Sequence, residues 1–123
     1  MEELTKTELK IMRLFWQAGR PLSGPELLEI SQGERSWKEN SLYPTLQHLQ
    51  NKGAIKVSGL ALERNKYSRT FLPCYSEETY LCFQLLTPKA SFSIVRFLDE
   101  YLEYAEPDED TLKQLKEVIE RHK

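Results

Sequence analysis

Three helix-start signals near the N-terminus constrain the fold of this chain more than any other feature. In a capping box a Ser or Thr stands three residues before a Glu, and each side chain binds a backbone N–H group that the first helical turn leaves free. Such boxes begin at Thr5, Ser23 and Ser36, and apolar residues at helical spacing follow each of them. The pattern predicts three short helices, of which the third spans residues 36–51. Each predicted helix is ended by a glycine: Gly19, Gly33 and Gly53.

After the third predicted helix the hydrophobic period changes from that of a helix to that of a strand. Residues 54–58 alternate apolar and polar side chains, and residues 66–72 form a second strand-like run that Pro73 ends. Residues 59–65 between them are predicted to form the loop of a hairpin. Three helices followed by a two-stranded hairpin is the order of a winged helix-turn-helix domain, which we expect over residues 1–73.

The remaining residues, 74–123, are predicted to be helical. Apolar residues cover more than one face of the segment 91–105, and such a helix must be buried on most of its sides. A second apolar stripe follows an acidic helix start at Asp108. We therefore expect a mainly α (α+β) protein with a C-terminal helical dimerisation region, the alternative being that this region packs on its own winged domain. The predicted dimer contacts are Phe92, Val95, Leu98, Tyr101, Leu102, Leu112, Leu115 and Ile119.

Charge and cysteine content narrow the function classes. The net charge is -2, but residues 1–72 carry 11 Lys and Arg against 8 Asp and Glu, whereas residues 73–123 carry 6 against 11. The first part can meet a polyanion and the second is repelled by one. The chain has neither a run of about 18 apolar residues for a membrane span nor a signal-peptide pattern, so we expect a cytoplasmic protein. Cys74 and Cys82 are expected to be small buried residues rather than a redox or metal pair across a dimer.

The third predicted helix carries the candidate DNA-reading residues. Its leucines lie on one face, which is expected to hold the helix to the domain, and short polar side chains lie off that line. Asn can pair with the N6 and N7 edge of adenine, Ser and Thr reach bases or phosphates, and Lys suits a phosphate or guanine. The alternative is an ordinary solvated helix face. The candidates are Lys38, Asn40, Ser41, Tyr43, Thr45 and His48.

A proline lies inside this predicted helix. Pro44 has no N–H group to donate to the carbonyl four residues earlier, which costs about 3 kcal/mol in a helix interior. The helix is therefore expected either to bend at Pro44 or to begin its regular part later than Ser36.

Further candidate contacts lie outside this helix. Arg64 and Lys66 near the hairpin tip are predicted to follow phosphates or enter a minor groove. Arg69 either contacts DNA or packs its stem on the sheet. Ser23, at the start of the second helix, is a candidate phosphate contact, and Trp37 either contacts the DNA backbone or holds the third helix to the core.

Together these segments resemble a known family over nearly the whole chain. The run LTKTELKIM at residues 4–12, with Trp16 after it, resembles the opening helix of the penicillinase-repressor (BlaI/MecI/CopY) family of bacterial winged-helix regulators. Residues 36–55 resemble that family's recognition helix and its exit into the wing. Residues 67–80 are similar to its wing strand and the start of its C-terminal domain, and residues 108–120 to its final helix. The resemblance implies a dimeric repressor that binds operator DNA.

The chain also departs from this family. Copper-sensing members end in paired cysteine motifs, whereas this chain ends in Arg121-His122-Lys123, so copper sensing by that route is not implied. Antibiotic-resistance members are switched by cleavage of an Asn–Phe bond in the C-terminal region, and no Asn follows Asn65 here. The segment 41–46 resembles the recognition helix of PadR-type regulators, which are also dimeric.

No enzyme or cofactor signature is visible. The two histidines, His48 and His122, lie far apart, and the chain has neither a glycine-rich phosphate loop nor metal-ligand spacing. We expect a sequence-specific regulator, a dimeric repressor on a palindromic operator, with residues 36–51 in the major groove and the wing 59–65 on the backbone or minor groove. The alternatives are a PadR-like regulator that responds to a small ligand and a winged-helix adaptor that binds proteins. The sequence leaves open which upstream sensor or small-molecule inducer acts on the protein, and it predicts no membrane partner.

Overall fold

The first two capping boxes form as predicted in a computed structural model, which describes residues 1–86 and 91–123. The Thr5 hydroxyl accepts a hydrogen bond from the backbone N–H of Glu8, whose carboxylate accepts one from the N–H of Thr5 at 2.8 Å. Ser23 and Glu26 make the same reciprocal pair. The helices and strands are α1 Lys6–Ala18, β1 Leu22–Ser23, α2 Gly24–Ile30, α3 Leu42–Asn51, β2 Ile55–Glu63, β3 Lys66–Pro73, α4 Glu77–Leu86, α5 Ile94–Ala105 and α6 Glu109–Arg121.

The third capping box does not form, and the predicted helix over residues 36–51 is wrong in its first six residues. The Ser36 hydroxyl accepts a hydrogen bond from Lys10 Nζ at 2.6 Å instead, and a single 3₁₀ turn, Glu39–Ser41, precedes α3. The later start places Pro44 in the first turn of α3, where its missing N–H group removes no helical hydrogen bond. The expectation of a later start is confirmed, and no bend at Pro44 is needed.

The three strands form one antiparallel sheet in the order β1-β3-β2. The hairpin of β2 and β3 is longer than predicted, because β2 continues to Glu63 and residues 59–65 are mostly strand. Its turn consists of Arg64 and Asn65 alone, both at positive φ (47° and 64°), which is the geometry of a type I′ turn. A register shift between Val57 and Gly59 marks a bulge in β2. The sheet therefore projects a long, narrow wing from the helices.

The core lies between α1, α2, α3 and the base of the sheet. Leu42, Leu46 and Leu49 are fully buried, so the predicted apolar face of α3 does hold this helix to the domain. Each buried leucine adds about 1.5–3 kcal/mol of hydrophobic stabilisation. The other buried apolar residues are Leu4, Ile11, Met12, Phe15, Leu22, Leu27, Ala54, Ile55, Phe71 and Tyr80.

The first compact unit, Met1–Thr87, extends beyond residue 73, where the sequence predicted the end of the winged domain. The cause is Tyr80 of α4, which is 1% exposed and whose hydroxyl oxygen accepts a hydrogen bond from the backbone N–H of Leu4 at 2.8 Å. Trp16 adds a second connection, since its indole N–H donates to the carbonyl of Tyr75 at 2.9 Å. Helix α4 therefore belongs to the core of the winged unit.

A buried ion pair connects the start of α1 to the end of α3. Lys52 Nζ lies 2.6 Å from Glu8 Oε1, and it also donates to the carbonyl of Glu3 at 3.0 Å. Burial by itself raises the pKa of Glu8, but the hydrogen bonds from Lys52 and Thr5 outweigh burial and hold this pKa below its ordinary value. The Glu8 carboxylate therefore serves both the helix cap and the tertiary packing.

The second compact unit, Pro88–Lys123, contains α5 and α6. The Ser93 hydroxyl caps α5 by accepting from the N–H of Arg96, and the Asp108 carboxylate caps α6 by accepting from the N–H of Thr111 at 2.8 Å. None of the residues 91–123 is buried. This unit has caps at its helix starts but no core of its own.

Candidate nucleic-acid interface

Helix α3 presents one continuous exposed face. Tyr43, Pro44, Gln47, His48 and Asn51 are all exposed, and their spacing of one, three and four residues places them on the same side of a helix. The opposite side is the leucine face in the core. A helix held by one apolar face, with polar side chains on the other, is the arrangement that major-groove reading needs.

Two of the six polar candidates in this region lie on that face, and three lie before it. Tyr43 and His48 are on α3, whereas Lys38 and Asn40 are exposed and Ser41 half-buried in the segment that leads into it. Thr45 needs a correction. It is 8% exposed, and its hydroxyl donates to the carbonyl of Ser41 at 2.7 Å, so the structure leaves it unavailable to a base.

Sequence reasoning missed two residues of the exposed face, Gln47 and Asn51. The Gln47 side-chain amide donates to Asn51 Oδ1 at 3.1 Å, so a neighbour on the same face orients the amide and leaves its carbonyl oxygen and second N–H for another partner. The signal that indicates them is the four-residue spacing from Tyr43.

A glycine of α2 leaves room for the Tyr43 ring. A β-carbon at Gly24 would stand 2.6 Å from the Tyr43 hydroxyl oxygen and 2.8 Å from two of its ring carbons. No Cβ tolerates such contacts, so glycine at this position allows the ring to lie against the start of α2. Tyr43 is nonetheless 57% exposed, so it presents an aromatic surface beside the helix face.

A cleft of about 290 Å³ separates α3 from the base of the wing. Apolar residues form part of its lining, and Arg69 and Gln47 also line it. Arg69 is exposed. The full lining is Gly24, Pro25, Tyr43, Leu46, Gln47, Gln50, Ser68, Arg69 and Phe71.

The wing tip carries two of the predicted contacts. Arg64 and Lys66 are exposed on either side of Asn65. Arg64 occupies the left-handed region at φ 47°, which is uncommon for a residue other than Gly, Asn or Asp and is mildly strained. The tip therefore carries a cationic side chain at a position whose backbone conformation glycine adopts with less strain.

Two candidates outside α3 take structural roles. Ser23 is fully buried, and its hydroxyl accepts from the N–H of Glu26 and donates to Glu63 Oε1 at 3.0 Å, so the expectation of a phosphate contact there is corrected. Trp37 is half-buried and packs against the core, with the Arg35 guanidinium 5.4 Å from its ring centroid. Trp37 thus holds the segment before α3 in place.

The second unit exposes much of its apolar surface. Four of the eight predicted dimer contacts are exposed, among them Val95 at 74%, and the other four are half-buried. Tyr104, which is not among the predicted dimer contacts, is 86% exposed. The exposed four are Val95, Tyr101, Leu112 and Ile119, and the half-buried four are Phe92, Leu98, Leu102 and Leu115.

Two further observations concern the surface. Cys74 and Cys82 are both exposed free thiols, so the expectation that they are buried is wrong.

Within residues 1–86 and 91–123, no helix combines the length and the apolar content that crossing a lipid bilayer requires.

Comparison with known proteins places these features in a family. The family model described as penicillinase repressor matches residues 4–121. A similar solved structure is that of Bacillus subtilis PadR in complex with operator DNA, at 17% sequence identity and a TM-score of 0.50, covering 79% of this chain and 58% of the PadR chain. This likeness supports the winged-helix fold, and the chain spans less than two thirds of the PadR chain's length. A search of curated proteins finds no match. The chain belongs to the penicillinase repressor family.

Proposed function

We propose that this protein is a dimeric repressor that reads a palindromic operator through the exposed face of α3. The observation that carries the proposal is the composition of that face. The exposed face carries amide, imidazole and phenol groups, and the opposite face of the same helix is buried in the core. These groups donate and accept hydrogen bonds at base edges, which is how proteins distinguish base pairs in the major groove.

Different side chains around α3 are assigned to base edges and to phosphates. Gln47 and His48 lie on the face itself and are assigned to base edges, with Asn40 at the approach to the helix. Lys38 is assigned to a phosphate, because its ammonium group is exposed and carries no directional pair of donors. Arg64 and Lys66 at the wing tip follow the backbone or enter the adjacent minor groove.

Dimerisation is assigned to the second unit. Its two helices have no core of their own, and the exposed apolar side chains need a covering surface. A second copy provides one, and a two-fold dimer presents α3 twice. The half-sites of a palindromic operator should then lie about 10 bp apart, or a multiple of this distance, so that both reading helices meet the same side of the duplex. Regulation then acts on the dimer, since engaging both half-sites together multiplies affinity.

Selection of bound sequences from a random duplex pool tests this proposal. We expect an inverted repeat with a fixed half-site spacing, and we expect the His48→Ala variant to lose the consensus at a position that the parent protein selects. Thr45→Val, which changes a buried neighbour on the same helix, is the matched control and should return the parent consensus. Failure to enrich any duplex at low salt would contradict the proposal and favour a protein-binding adaptor.

A further inference from the structure

The wing has an exposed apolar face that the proposed contacts at its tip do not use. In the β2–β3 ladder Leu60 is paired with Arg69, and Leu62 with Tyr67. Paired residues of an antiparallel ladder project to the same side, so these four side chains form one surface, here called the wing face. Leu60, Leu62 and Tyr67 are 66%, 59% and 70% exposed. Such a cluster of exposed large apolar side chains marks an interaction surface.

Charge around the wing face favours a polyanionic partner. The hairpin, residues 55–73, carries four cations and one carboxylate, whereas the rest of the first unit carries seven cations against nine carboxylates. The Glu63 carboxylate accepts a hydrogen bond from Ser23. The positive excess of the first unit therefore lies in the hairpin, with Arg69 on the wing face itself and Arg64 at its tip. The four cations are Lys56, Arg64, Lys66 and Arg69.

The wing face is also continuous with the reading face of α3. Arg69 belongs to the wing face through its pairing with Leu60, and it lines the same cleft as Tyr43 and Gln47. A duplex that receives α3 in its major groove therefore passes beside the wing face. The groove adjoining a major groove is the minor groove, whose walls are the C–H edges of deoxyribose rings.

We infer that the wing face packs against the deoxyribose walls of the minor groove, so that this protein holds DNA by apolar contact as well as by charge. Apolar side chains on minor-groove binders are an established means of contact with DNA. The inference rests on the proposed function. It names a DNA contact along the length of the wing, whereas the proposed function uses only the cations at the tip. The winged unit has little net positive charge, so the release of counterions contributes little to its affinity for DNA. An apolar contact adds affinity that does not depend on charge.

A triple variant, Leu60→Thr with Leu62→Thr and Tyr67→Thr, tests the inference. Thr keeps strand propensity, and the three side chains lie outside the core, so the hairpin is retained. Affinity for a mixed-sequence A·T-rich duplex is measured over a series of salt concentrations. We expect affinity about tenfold weaker, with an unchanged slope of log affinity against log salt. The matched control, Arg64→Gln with Lys66→Gln, should instead make that slope shallower by about 0.9 for each phosphate that the protein no longer neutralises.

Distamycin, which fills the minor groove of A·T-rich DNA, gives an independent readout. It should lower the affinity of the parent protein by a larger factor than the affinity of the triple variant, which keeps only the cations of the wing tip for this groove. Equal affinity of parent and triple variant would overturn the inference while leaving the proposed function intact. A triple variant that binds duplex normally but changes oligomeric state in sedimentation would show a second copy on the wing face, which also overturns it. A parent protein that binds no duplex would remove both proposals.

Discussion

The Tyr43 ring lies directly against Gly24, so closely that a β-carbon at position 24 would stand 2.6 Å from the phenol oxygen. This contact joins the first turn of α3 to the first residue of α2. It places an exposed aromatic ring at the edge of the reading face without burying it. This position of the ring depends on the absence of a methyl group at residue 24.

Replacing Gly24 with Ala should therefore weaken DNA binding more than it weakens the fold. The added methyl displaces the Tyr43 ring, which can swing outward because it is exposed. We expect affinity for the selected operator to fall about tenfold, which corresponds to about 1.4 kcal/mol. In a double-mutant cycle with Tyr43→Ala the two losses should be strongly non-additive. Fully additive losses would show that Gly24 does not act through Tyr43.

Gln47→Ala should relax base preference at one position of each half-site. The Gln47 amide is exposed on α3 and suits the paired acceptor and donor of adenine. Removal of such a hydrogen-bonded pair costs about 1–3 kcal/mol of discrimination. Affinities measured for the four bases at that position should become nearly equal, whereas the salt slope should not change. Preserved discrimination would exclude Gln47 as a base-reading residue.

The Glu8–Lys52 pair should make a measurable contribution to stability. Lys52→Met leaves the carboxylate of Glu8, itself 3% exposed, without its cation, and breaking a buried pair of this kind costs about 3–5 kcal/mol. Because Lys52 keeps some exposure, we expect the lower end of that range in urea unfolding. Lys56→Met, at an exposed position on β2, is the control and should leave the free energy of unfolding nearly unchanged. A loss below about 1 kcal/mol for Lys52→Met, which is the range of an exposed surface pair, would contradict this role.

The same pair predicts a pH dependence. The pKa of Glu8 is lowered in the folded protein from its ordinary value of 4.5, so the folded state favours the ionised form. The stabilisation is therefore complete above about pH 4.5 and is lost as the pH falls below it towards the folded pKa. Glu8→Gln should be less stable than the parent near neutral pH, and the difference should shrink as the pH is lowered through this window. A difference that stays constant with pH would show that ionisation of Glu8 contributes nothing.

The fold is predictable where local chemistry decides it, and less so where contacts between distant residues do. The capping boxes at Thr5 and Ser23 specify their helices, whereas the box at Ser36 is only a pattern, because Pro44 forces the later start and Lys10 takes the serine hydroxyl. The short turn at Arg64 and Asn65 lacks the glycine that usually marks a type I′ hairpin, so the sequence predicts a loop where the wing strands continue.

The candidate site is predictable in kind but not in every residue. Exposed polar residues around α3 are expected from the sequence, and Tyr43 and His48 are among them. Thr45 is a wrong prediction, because its position three residues after Leu42 and four before Leu49 places it on the buried leucine face. The sequence places Tyr80 outside the winged domain because its hydrogen bond to Leu4 spans 76 residues, and no local pattern indicates such a contact.

Because dimerisation is assigned to the second unit, a charge on the apolar surface of this unit should separate the dimer and weaken operator binding. Val95→Asp places a charge on a strongly exposed apolar position of α5, where it leaves the monomer unchanged but opposes burial against a second copy. Sedimentation should shift from dimer to monomer, and operator affinity should fall at least about a hundredfold because one half-site is lost. Lys113→Asp on α6 controls for added negative charge. A variant that stays dimeric would place the interface elsewhere.

Photocrosslinking tests most directly whether the exposed face of α3 meets DNA. Benzoylphenylalanine is introduced at His48 on that face and, in a separate protein, at Gln17, which is exposed on α1. With the operator obtained by selection, we predict an efficient crosslink from position 48 to a base within each half-site and none from position 17. A crosslink from position 17 with none from position 48, in a protein that still binds the operator, would contradict the assignment of α3 as the reading helix.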